Sequence, residues 1–429
     1  MGHFVPHTDD EIAAMLAFVG LSSLDELFAS VPEALRLASG SLQLRHGLSE
    51  PDTLAEMERL AARNRRAGPD LVCFAGGGAY DHEIPSAVTR LAFRSEFVTA
   101  YTPYQPEVSQ GVLQALFEYQ TMLARLTGVE IANASLYDGA SACVEAVNLA
   151  CAATGRQDVF VSPHLNPNWR AVLDTFARGT GHRISSEPVE APAAILVQQP
   201  NYLGVIEDLQ AWRSEADRLG AYLLVAFDPV AAGLLRSPGS YGADVVVGEG
   251  QPFGTPLSFG GPYLGLFACR SEHVRRLPGR LVGETVDSEG RRAYVTTLRT
   301  REQDIRREKA SSNVCTNQTL IAIACAIQMA WLGTGGLREL ALRCARGTRY
   351  TRDALLAVDG VVPALDGPVL REFAVRAPVP GDVVVERMAE EGFLAGVPLE
   401  DGGLLVAVTE RRTRQEIDRY VDTFEKVIK

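Results

Sequence analysis

The sequence predicts an α/β protein with a large, mostly parallel sheet and a small C-terminal α+β domain. Between residues 157 and 269, short apolar segments without polar alternation recur, which is typical of strands that are buried on both faces. Helical segments lie between them, as the long crossovers of a parallel sheet require. A shorter mixture of strands and helices follows in residues 359–429, which indicates a second, smaller unit.

Residues 1–68 predict a helical arm or docking segment ahead of the main domain. Two patterns that fit a capping box, Thr8–Glu11 and Ser23–Glu26, mark helix starts. A further helix is expected to begin with Ser49 as its N-cap and to end at Gly68. Apolar residues recur along it at helical spacing, so one of its faces is expected to pack on another surface.

The large α/β domain is predicted over residues 69–305. It opens with a glycine triplet in CFAGGGAYDHEIPSAV, and two helices are predicted over 109–128 and 137–155. Helix 208–219 separates two of the later strands. The predicted strands lie at 157–163, 193–200, 221–229, 244–250 and 263–269. Their alternation with helices predicts that both faces of the sheet are covered.

A long helical stretch, predicted over residues 306–358, connects the large domain to the small one. The small domain is predicted over 359–429, with the strand segments VLREFAVRAP and GGLLVAVTE and a helix near 381–391 between them. The terminal helix starts at another capping box, Thr413–Glu416. This order of a large domain, a long helix and a small domain is shared by aminotransferase-like enzymes, which depend on pyridoxal phosphate (PLP) and have fold type I.

Composition excludes several other classes of protein. At 429 residues, with 46% hydrophobic and 22% charged residues, the chain fits a folded protein of two or three domains. A net charge of −12 argues against nucleic acid as the main partner, because phosphates are bound by clustered cations. The apolar run 320–333 is shorter than the roughly 20 residues that cross a bilayer, and two acidic residues precede the first apolar run. We therefore expect a cytoplasmic protein with no membrane partner.

The cysteines and histidines predict no metal site. Seven cysteines occur without a CxxC pair, mostly in apolar surroundings, and seven histidines occur without HxxxH spacing. Buried free thiols in a reducing compartment are the expected state of the cysteines.

Three features match places that hold PLP in aminotransferase-like enzymes. The turn SLYDGASA (135–142), with Gly139 and Ser141, would offer backbone N–H groups to a phosphate at a helix N-terminus. Asp228 lies at the C-terminal end of a predicted strand, where an aspartate keeps the pyridine nitrogen protonated in these enzymes. The stretch VVVGEGQPFGTPLSFGGPYLG (245–265) contains the next strand and a glycine-rich segment, and its glycines would let a cofactor approach the backbone. The lysine that forms the Schiff base would stand here, yet the segment has none.

Lysine is scarce in the whole chain. It occurs only at 309, 426 and 429, so 38 of the 41 basic residues are arginine. The last two lie at the end of the terminal helix, and Lys309 lies among charged residues in REQDIRREKASSN. An internal aldimine needs an amine in the pocket, so the chain is not expected to hold PLP by itself. A complete PLP enzyme that uses Lys309 is the alternative.

Several segments resemble the P-protein of the glycine cleavage system. They include EFVTAYTPYQPEVSQGVLQALFEYQTMLARLTG, VQQPNYLGVIEDL, GQPFGTPLSFGGPYLG and TLRTREQDIRREKASSNVCTNQTL, in the same order along the chain. The resemblance is to the N-terminal half of the P-protein, which in many prokaryotes is a separate subunit. It implies a subunit that carries no PLP and pairs with a PLP-carrying subunit 2. Together they would decarboxylate glycine and pass the aminomethyl group to the lipoyl arm of the H-protein.

The resemblance also implies a role for each residue of the candidate cofactor site. Laying the family's His-Lys-Thr motif on the shared proline and glycines puts Gln251 in the place of the lysine, and glutamine forms no imine. Asp228, Gly139 and Ser141 would then be remnants of a degenerate cofactor site. No residue of this chain would be catalytic without the partner.

The resemblance further implies one active site per pair, built on the partner and walled by this chain. The residues expected to contribute at the interface are Tyr101, Thr102, Tyr104 and Gln105 of YTPYQ, and His82. Tyrosines suit this place because they can contact both the cofactor and an entering lipoyl arm. The alternatives are that the tyrosines only pack the interface and that His82 is a hydrogen-bonded structural histidine. For the whole chain, a non-catalytic scaffold or regulator is a further alternative.

Overall fold

The structure, a computed structural model, describes residues 6–37, 47–98, 103–298, 310, 312, 314–315 and 318–429. The chain divides into two compact units, residues 1–65 and 66–429. Three residues named in the sequence analysis, Tyr101, Thr102 and Lys309, lie outside the described residues.

The described helices and strands follow one another in an order typical of α/β proteins. The helices are α1 (Asp9–Phe18), α2 (Glu50–Ala61), α3 (Ser86–Ala92), α4 (Ser95–Val98), α5 (Pro106–Thr127), α6 (Gly139–Thr154), α7 (Pro167–Thr180), α8 (Leu209–Leu219), α9 (Thr319–Leu356), α10 (Gly381–Glu390) and α11 (Arg414–Ile428). The strands are β1 (Val72–Cys73), β2 (Ile131–Ala132), β3 (Asp158–Val161), β4 (Arg183–Ser185), β5 (Ala194–Gln199), β6 (Tyr222–Phe227), β7 (Val245–Glu249), β8 (Gly265–Cys269), β9 (Leu281–Val286), β10 (Arg292–Thr297), β11 (Val362–Pro363), β12 (Glu372–Arg376), β13 (Phe393–Leu394), β14 (Val397–Pro398) and β15 (Leu404–Ala407). The residue pattern did not predict β9 and β10, which form an antiparallel hairpin.

The N-terminal unit contains α1, α2 and two short 3₁₀ turns. The capping box predicted at Thr8 forms, because Thr8 Oγ1 accepts from the Glu11 N–H at 3.3 Å and the Glu11 carboxylate accepts from the Thr8 N–H at 2.7 Å. The predicted start at Ser49 is also present, but that helix ends before Gly68. The capping box predicted at Ser23 is wrong, since this segment is a 3₁₀ turn and the Ser23 side chain accepts from no N–H of the described backbone.

A seven-stranded sheet forms the centre of the second unit, in the order β2-β8-β7-β6-β5-β3-β4. The five strands from β7 to β4 are parallel, whereas β8 pairs antiparallel with both β7 and β2. This confirms the expected large, mostly parallel sheet. The direction of β8 could not be predicted, because a strand buried on both faces is apolar throughout in either direction.

Both faces of this sheet are covered, as the apolar strands predict. In β6, Leu223 and Val225 belong to a core shared with α5, α8 and α9, whereas Leu224 and Ala226 belong to a core shared with α6 and α7. The division follows from the alternation of side chains along a strand. The carboxyl ends of β5, β6 and β7 meet at one edge of the sheet, which is where ligands bind in open α/β folds.

Helix α9 links the large domain to the small one and lies within the predicted helical stretch 306–358. It has 38 residues and an interruption at Gly333, whose φ of 58° and ψ of −176° are not helical. Ala322, Ile323 and Cys325 of α9 lie in the core of the large domain. In the part of the chain that the structure describes, α9 is also the one helix long and apolar enough to cross a membrane, but the core helix of a soluble protein passes the same test.

The small domain has a four-stranded antiparallel sheet in the order β11-β12-β15-β14, and α10 and α11 pack on it. The capping box predicted at Thr413 is present at the start of α11. An earlier part of the chain completes this domain: β1 pairs in parallel with β13, and Phe74 stacks on Tyr420 with ring centroids 4.0 Å apart. β1 therefore contributes to the small domain, although it lies within 69–305, the range predicted for the large domain. A two-residue strand has no periodicity from which its partner could be predicted.

The cysteines are free thiols, and six of the seven are buried, whereas Cys315 is exposed. Burial raises the pKa of Cys151 to about 11 and that of Cys269 to about 12. These buried thiols are therefore protonated at neutral pH and pack as small apolar side chains.

Candidate functional site

A small cavity lies at the carboxyl ends of β5, β6 and β7, and we call it the cleft. The loop before α3 and the residue before β12 also reach it. Its volume is about 40 Å³, whereas ligand pockets commonly enclose about 300–1,000 Å³. The side chains that line it include Tyr80, Trp169, Asp228, Glu249 and Arg371. The chain's own side chains therefore take up most of the space at this end of the sheet.

Asp228 lies in the cleft directly after β6, at the strand end where it was predicted. Its Oδ1 accepts from the Val230 N–H at 2.9 Å, which holds the turn that follows the strand. Its Oδ2 lies 2.6 Å from Nη2 of Arg371, and the two side chains are 14% and 3% exposed. Asp228 is therefore one half of a mostly buried ion pair as well as a turn former.

Arg371 comes from the small domain, immediately before β12, and meets two groups besides Asp228. Its Cζ lies 3.5 Å from the centre of the Tyr80 ring, and its Nη1 lies 2.6 Å from Nε2 of His82. A guanidinium group has only donors, so Nε2 of His82 accepts and the ring proton is on Nδ1. Nδ1 of His82 then donates to Oε2 of Glu410 at 2.6 Å.

His82, Cys344 and Glu410 bring together three side chains of the types that bind metals, with their ligand atoms within 4.8 Å of one another. The spacing of these residues in the sequence did not predict such a group. Both ring nitrogens of His82 have hydrogen-bond partners, and Glu410 also accepts from the Glu83 N–H at 2.7 Å. Burial acts to raise the pKa of Glu410, but the interactions with His82 and the hydrogen bonds from backbone N–H groups together outweigh it, and the pKa lies below its ordinary value. Because the Arg371 cation adjoins this group as well, we assign it a structural role.

The N-terminus of α6 lies beside Trp169 and Glu249, which line the cleft, but its first N–H groups have partners within the chain. Asp138 accepts from the Ser141 N–H at 2.7 Å, and Oε2 of Glu249 accepts from the Gly139 N–H at 2.9 Å. A side chain at position 139 would meet the Trp169 ring at 2.4 Å, so the close approach of this ring requires glycine. The two residues predicted to offer N–H groups to a phosphate thus donate to carboxyl groups of the same chain.

Glu249 is buried at the end of β7, beside the N-terminus of α6. Three backbone N–H groups donate to it, from Gly139, Gln251 and Leu264, each at 2.9 Å. Burial raises the pKa of Glu249 to about 8, although these three hydrogen bonds act to lower it. Its carboxyl group therefore stands where the fold would otherwise present N–H groups to an anion.

Gln251, which the family motif put in the place of the lysine, is fully buried. Its Oε1 accepts from the Tyr80 N–H at 2.9 Å, and its Nε2 donates to the carbonyl groups of Tyr80 and Thr255 at 3.1 and 2.8 Å. The amide thus clamps the loop before α3 to the loop after β7. An amide uses both its donor and its acceptor in this clamp, which an amine could not do.

The glycines after β7 are covered by the chain itself. A side chain at Gly250 would meet Leu264 at 2.7 Å, and one at Gly254, whose φ is +95°, would meet the backbone of Ala324 in α9 at 2.7 Å. We expected this backbone to be open to a cofactor. At these two positions the expectation is wrong, because the glycines admit a neighbouring strand and helix of the same chain.

Three of the residues expected at the partner's active site are described, namely Tyr104, Gln105 and His82. Tyr104 is 47% exposed, and Cζ of Arg280 lies 5.3 Å from the centre of its ring, within cation–π range. Gln105 is exposed directly before α5. The His82 side chain is 1% exposed and lies inside the cleft network. Its placement argues against direct contact with a partner and favours the alternative of a structural histidine.

Sequence reasoning missed four residues of the cleft network, which are Tyr80, Glu249, Arg371 and Glu410. One signal was available for Arg371, because VLREFAV places an arginine directly before a buried strand, and a charge at such a place needs a partner. Tyr80 and Glu249 lie in glycine-rich segments that the sequence analysis quoted, and Glu410 ends the strand segment GGLLVAVTE, but nothing in the sequence distinguished these three side chains.

The fold and the cleft define the class of protein. A mostly parallel sheet, a long linking helix, a small α+β domain and an aspartate at the end of β6 are those of aminotransferase-like proteins of PLP fold type I, which confirms the predicted fold class. A family model described as the glycine cleavage system P-protein matches residues 2–424. The chain therefore belongs to the glycine cleavage system P-protein family, as its motifs indicated.

The similarity extends over almost the whole chain. It is 46% identical to the probable glycine dehydrogenase (decarboxylating) subunit 1 of Prosthecochloris aestuarii, over 98% of both chains. A crystal structure of glycine decarboxylase (P-protein) of the glycine cleavage system, in inhibitor-bound form, is 43% identical with a TM-score of 0.90, and the match covers 99% of this chain and 100% of that chain. The glutamate decarboxylase of Lactobacillus brevis, at 13% identity, has a TM-score of 0.65 over 95% of this chain and 96% of that one, and shares the fold alone.

The cleft of this chain does not fit PLP, the cofactor that its fold class implies. Position 251 offers an amide instead of an amine, and the carboxylate of Asp228 is bound to Arg371. The N–H groups at the start of α6 donate to Asp138 and Glu249. Each of the three places that would hold the cofactor is thus filled by a side chain of the protein.

Proposed function

We propose that this chain is the subunit of a heteromeric glycine decarboxylase that carries no PLP. It pairs in the cytoplasm with a subunit 2 whose lysine holds the cofactor. The pair decarboxylates glycine and transfers the aminomethyl group to the lipoyl arm of the H-protein. Membership of the P-protein family supports the reaction, and the subunit 1 designation of the relatives supports the existence of a second subunit.

The proposal that the partner, and not this chain, holds PLP is supported above all by the buried amide of Gln251. Covalent capture of PLP needs an amine that can lose its proton, and this position instead holds a buried amide with three backbone partners. In the described part of the chain the lysines are Lys426 and Lys429, both at the end of α11. The cofactor is therefore proposed to belong to the partner.

We further propose that the segment with Tyr104 and Gln105 forms part of the wall of the partner's active site. Tyr104 presents about half of its surface, and the buried Arg280 lies against its ring. A tyrosine ring in a fixed position can contact a bound cofactor with its face and donate from its hydroxyl to an entering substrate. Tyr101 and Thr102 precede it in the sequence and belong to the same proposal.

Reconstitution tests the proposed function. Each subunit is purified alone and the two are also purified together, and exchange of the glycine carboxyl carbon with bicarbonate is measured with PLP and lipoylated H-protein. We expect exchange from the pair and none from either subunit alone. If subunit 2 alone reaches the rate of the pair, this chain is a scaffold or regulator. If this chain alone catalyses exchange, and Lys309→Ala abolishes both the exchange and a Schiff-base absorption band, it is a complete PLP enzyme.

Tyr104→Phe tests the proposed contact with the partner's site. The ring and its contact with Arg280 remain, so the pair should stay assembled, while kcat should fall by about 2- to 10-fold, the value of one neutral hydrogen bond. Tyr350→Phe is the matched control, because Tyr350 is 38% exposed and its hydroxyl donates to Asp418 within the chain at 2.6 Å. Gel filtration measures assembly. Equal kinetics in the wild type and both variants would count against the contact.

A further inference from the structure

We propose that the cleft is a cation site that the protein itself occupies. The guanidinium group of Arg371 takes the place that the pyridine ring of PLP has beside the aspartate of aminotransferase-like enzymes. The ion pair of Arg371 with Asp228 also fastens the small domain to the central sheet. The proposal concerns this chain alone and does not rest on the proposed function. It arises from a disagreement between the fold, which is that of PLP-dependent enzymes, and the cleft, which does not fit PLP.

The surroundings of Arg371 suit a flat, delocalised cation. At one edge of the guanidinium group, Nη2 donates to Oδ2 of Asp228 at 2.6 Å. On one of its faces lies the Tyr80 ring, with its centre 3.5 Å from Cζ. His82 accepts at 2.6 Å from a second nitrogen. A protonated pyridine makes the same two principal contacts, an ionic hydrogen bond from its N–H and a stacked face. The arginine thus satisfies the partners that a bound ring would satisfy.

The same contacts join two parts of the fold. Asp228 follows β6 of the central sheet, whereas Arg371 precedes β12 of the small domain. The next residue, Glu372, accepts from the Tyr80 hydroxyl at 2.9 Å and from the Gly77 N–H at 2.6 Å. Moving the small domain away from the sheet would break a buried ion pair and leave its charges without partners, which is costly in a low-dielectric interior. The two domains are therefore held in one arrangement by these side chains.

Chemical rescue of Arg371→Ala in the isolated, full-length chain tests the cation site. The variant should melt at a lower temperature than the wild type, because the mostly buried carboxylate of Asp228 loses its counter-charge. Methylguanidinium, a planar cation that matches the removed group, should raise its melting temperature in a saturable way, since it binds the native state only. Sodium chloride at equal ionic strength should have no such effect.

The matched control is Arg376→Ala, at the other end of β12. Arg376 pairs with Asp401 at the surface, where both side chains are 48% exposed, so its removal leaves no buried charge. Neither this variant nor the wild type should respond to methylguanidinium. The double variant Asp228→Asn/Arg371→Ala should also show no rescue, because the carboxylate that binds the cation is gone.

A second comparison decides the matter if Arg371→Ala does not fold. Asp228→Asn/Arg371→Met removes both charges, so it should fold and be more stable than Arg371→Met, which keeps the lone carboxylate. The proposal is overturned if methylguanidinium acts on folded Arg371→Ala no more than on Arg376→Ala. It is equally overturned if the double variant is no more stable than Arg371→Met.

Discussion

Replacing Gln251 with lysine would place an amine in the cleft, and it tests whether the cleft accepts PLP once an amine is present. We expect Gln251→Lys to be less stable than the wild type and to form no stable Schiff base with added PLP. Lysine can donate to the carbonyl groups of Tyr80 and Thr255, but it cannot accept from the Tyr80 N–H. Asp228 and the N-terminus of α6 stay bound to this chain's own side chains, so the ring and the phosphate of PLP find no partners.

The loss of stability in Gln251→Lys follows from the contacts that change. A buried N–H left without an acceptor costs about 1–3 kcal/mol. Position 251 is fully buried, so the amine also loses its hydration. The two carbonyl groups replace only part of this hydration, which leaves a further cost of about 1–3 kcal/mol. Together they should lower the free energy of unfolding by about 2–6 kcal/mol.

Urea denaturation measures this stability, and absorption spectra with PLP, followed by borohydride reduction and mass spectrometry, measure the Schiff base. The matched control is Gln120→Lys, at a buried glutamine outside the cleft that is 6% exposed. Its Nε2 donates to the Val282 carbonyl group and its Oε1 accepts from the Val282 N–H, as the amide of Gln251 does with Tyr80. We expect a similar loss of stability there and no Schiff base in either variant. A stoichiometric PLP adduct at residue 251 that survives gel filtration would refute the reasoning, since the cleft would then admit the cofactor once an amine is present.

Two other predictions concern the carboxyl groups and the packing around the cleft. Burial raises the pKa of Glu249 to about 8 and that of Glu372 to about 7, above the ordinary 4.5, so the native state binds more protons than the unfolded state between these values. The free energy of unfolding should therefore fall as pH rises from about 4.5 to 8, by up to about 1.4 kcal/mol per pH unit for each group. Urea denaturation at several pH values measures this slope, and Glu249→Gln should make it shallower. A free energy of unfolding that rises with pH would contradict the prediction. Gly204→Ala should cost more than about 3 kcal/mol in thermal unfolding, because its φ is +87° and a Cβ there would lie 1.8 Å from the Glu372 carbonyl oxygen. Gly290→Ala, at a φ of +78° with open space around it, should lose only about 1 kcal/mol from backbone strain, and equal losses in the two variants would argue against the packing explanation.

Much of the architecture could be predicted because its signals are local. The strands β5 to β8 each contain an apolar run, and the capping boxes at Thr8 and Thr413 each depend on four neighbouring residues. The pattern at Ser23 has the same four-residue form, but Pro32 follows soon after it and only 3₁₀ turns form there. A local signal therefore predicts an element only when the residues after it allow the element to continue.

The cleft could be predicted only in part, because its partners are distant in the sequence. Asp228 follows an apolar strand and Gln251 stands in a family motif, so each could be located from its own neighbours. The groups that satisfy them, Arg371 and the backbone of Tyr80, come from opposite ends of the chain and meet only through the fold. The groups that fill the cleft could therefore be identified only from the tertiary structure.

The presence of Arg371 and Gln251 in the cleft has one physical explanation: each satisfies groups that would otherwise be buried without a partner. Without a cofactor, Asp228 would be a buried carboxylate with no cation, and the space against the Tyr80 ring would be a cavity; both conditions destabilise a fold. Arg371 removes both at once, since its guanidinium neutralises the carboxylate and stacks on the ring. Gln251 likewise satisfies backbone groups that a lysine would leave without an acceptor. Packing of this kind makes the end of the sheet rigid, which is the property that the proposed wall around a partner's active site requires.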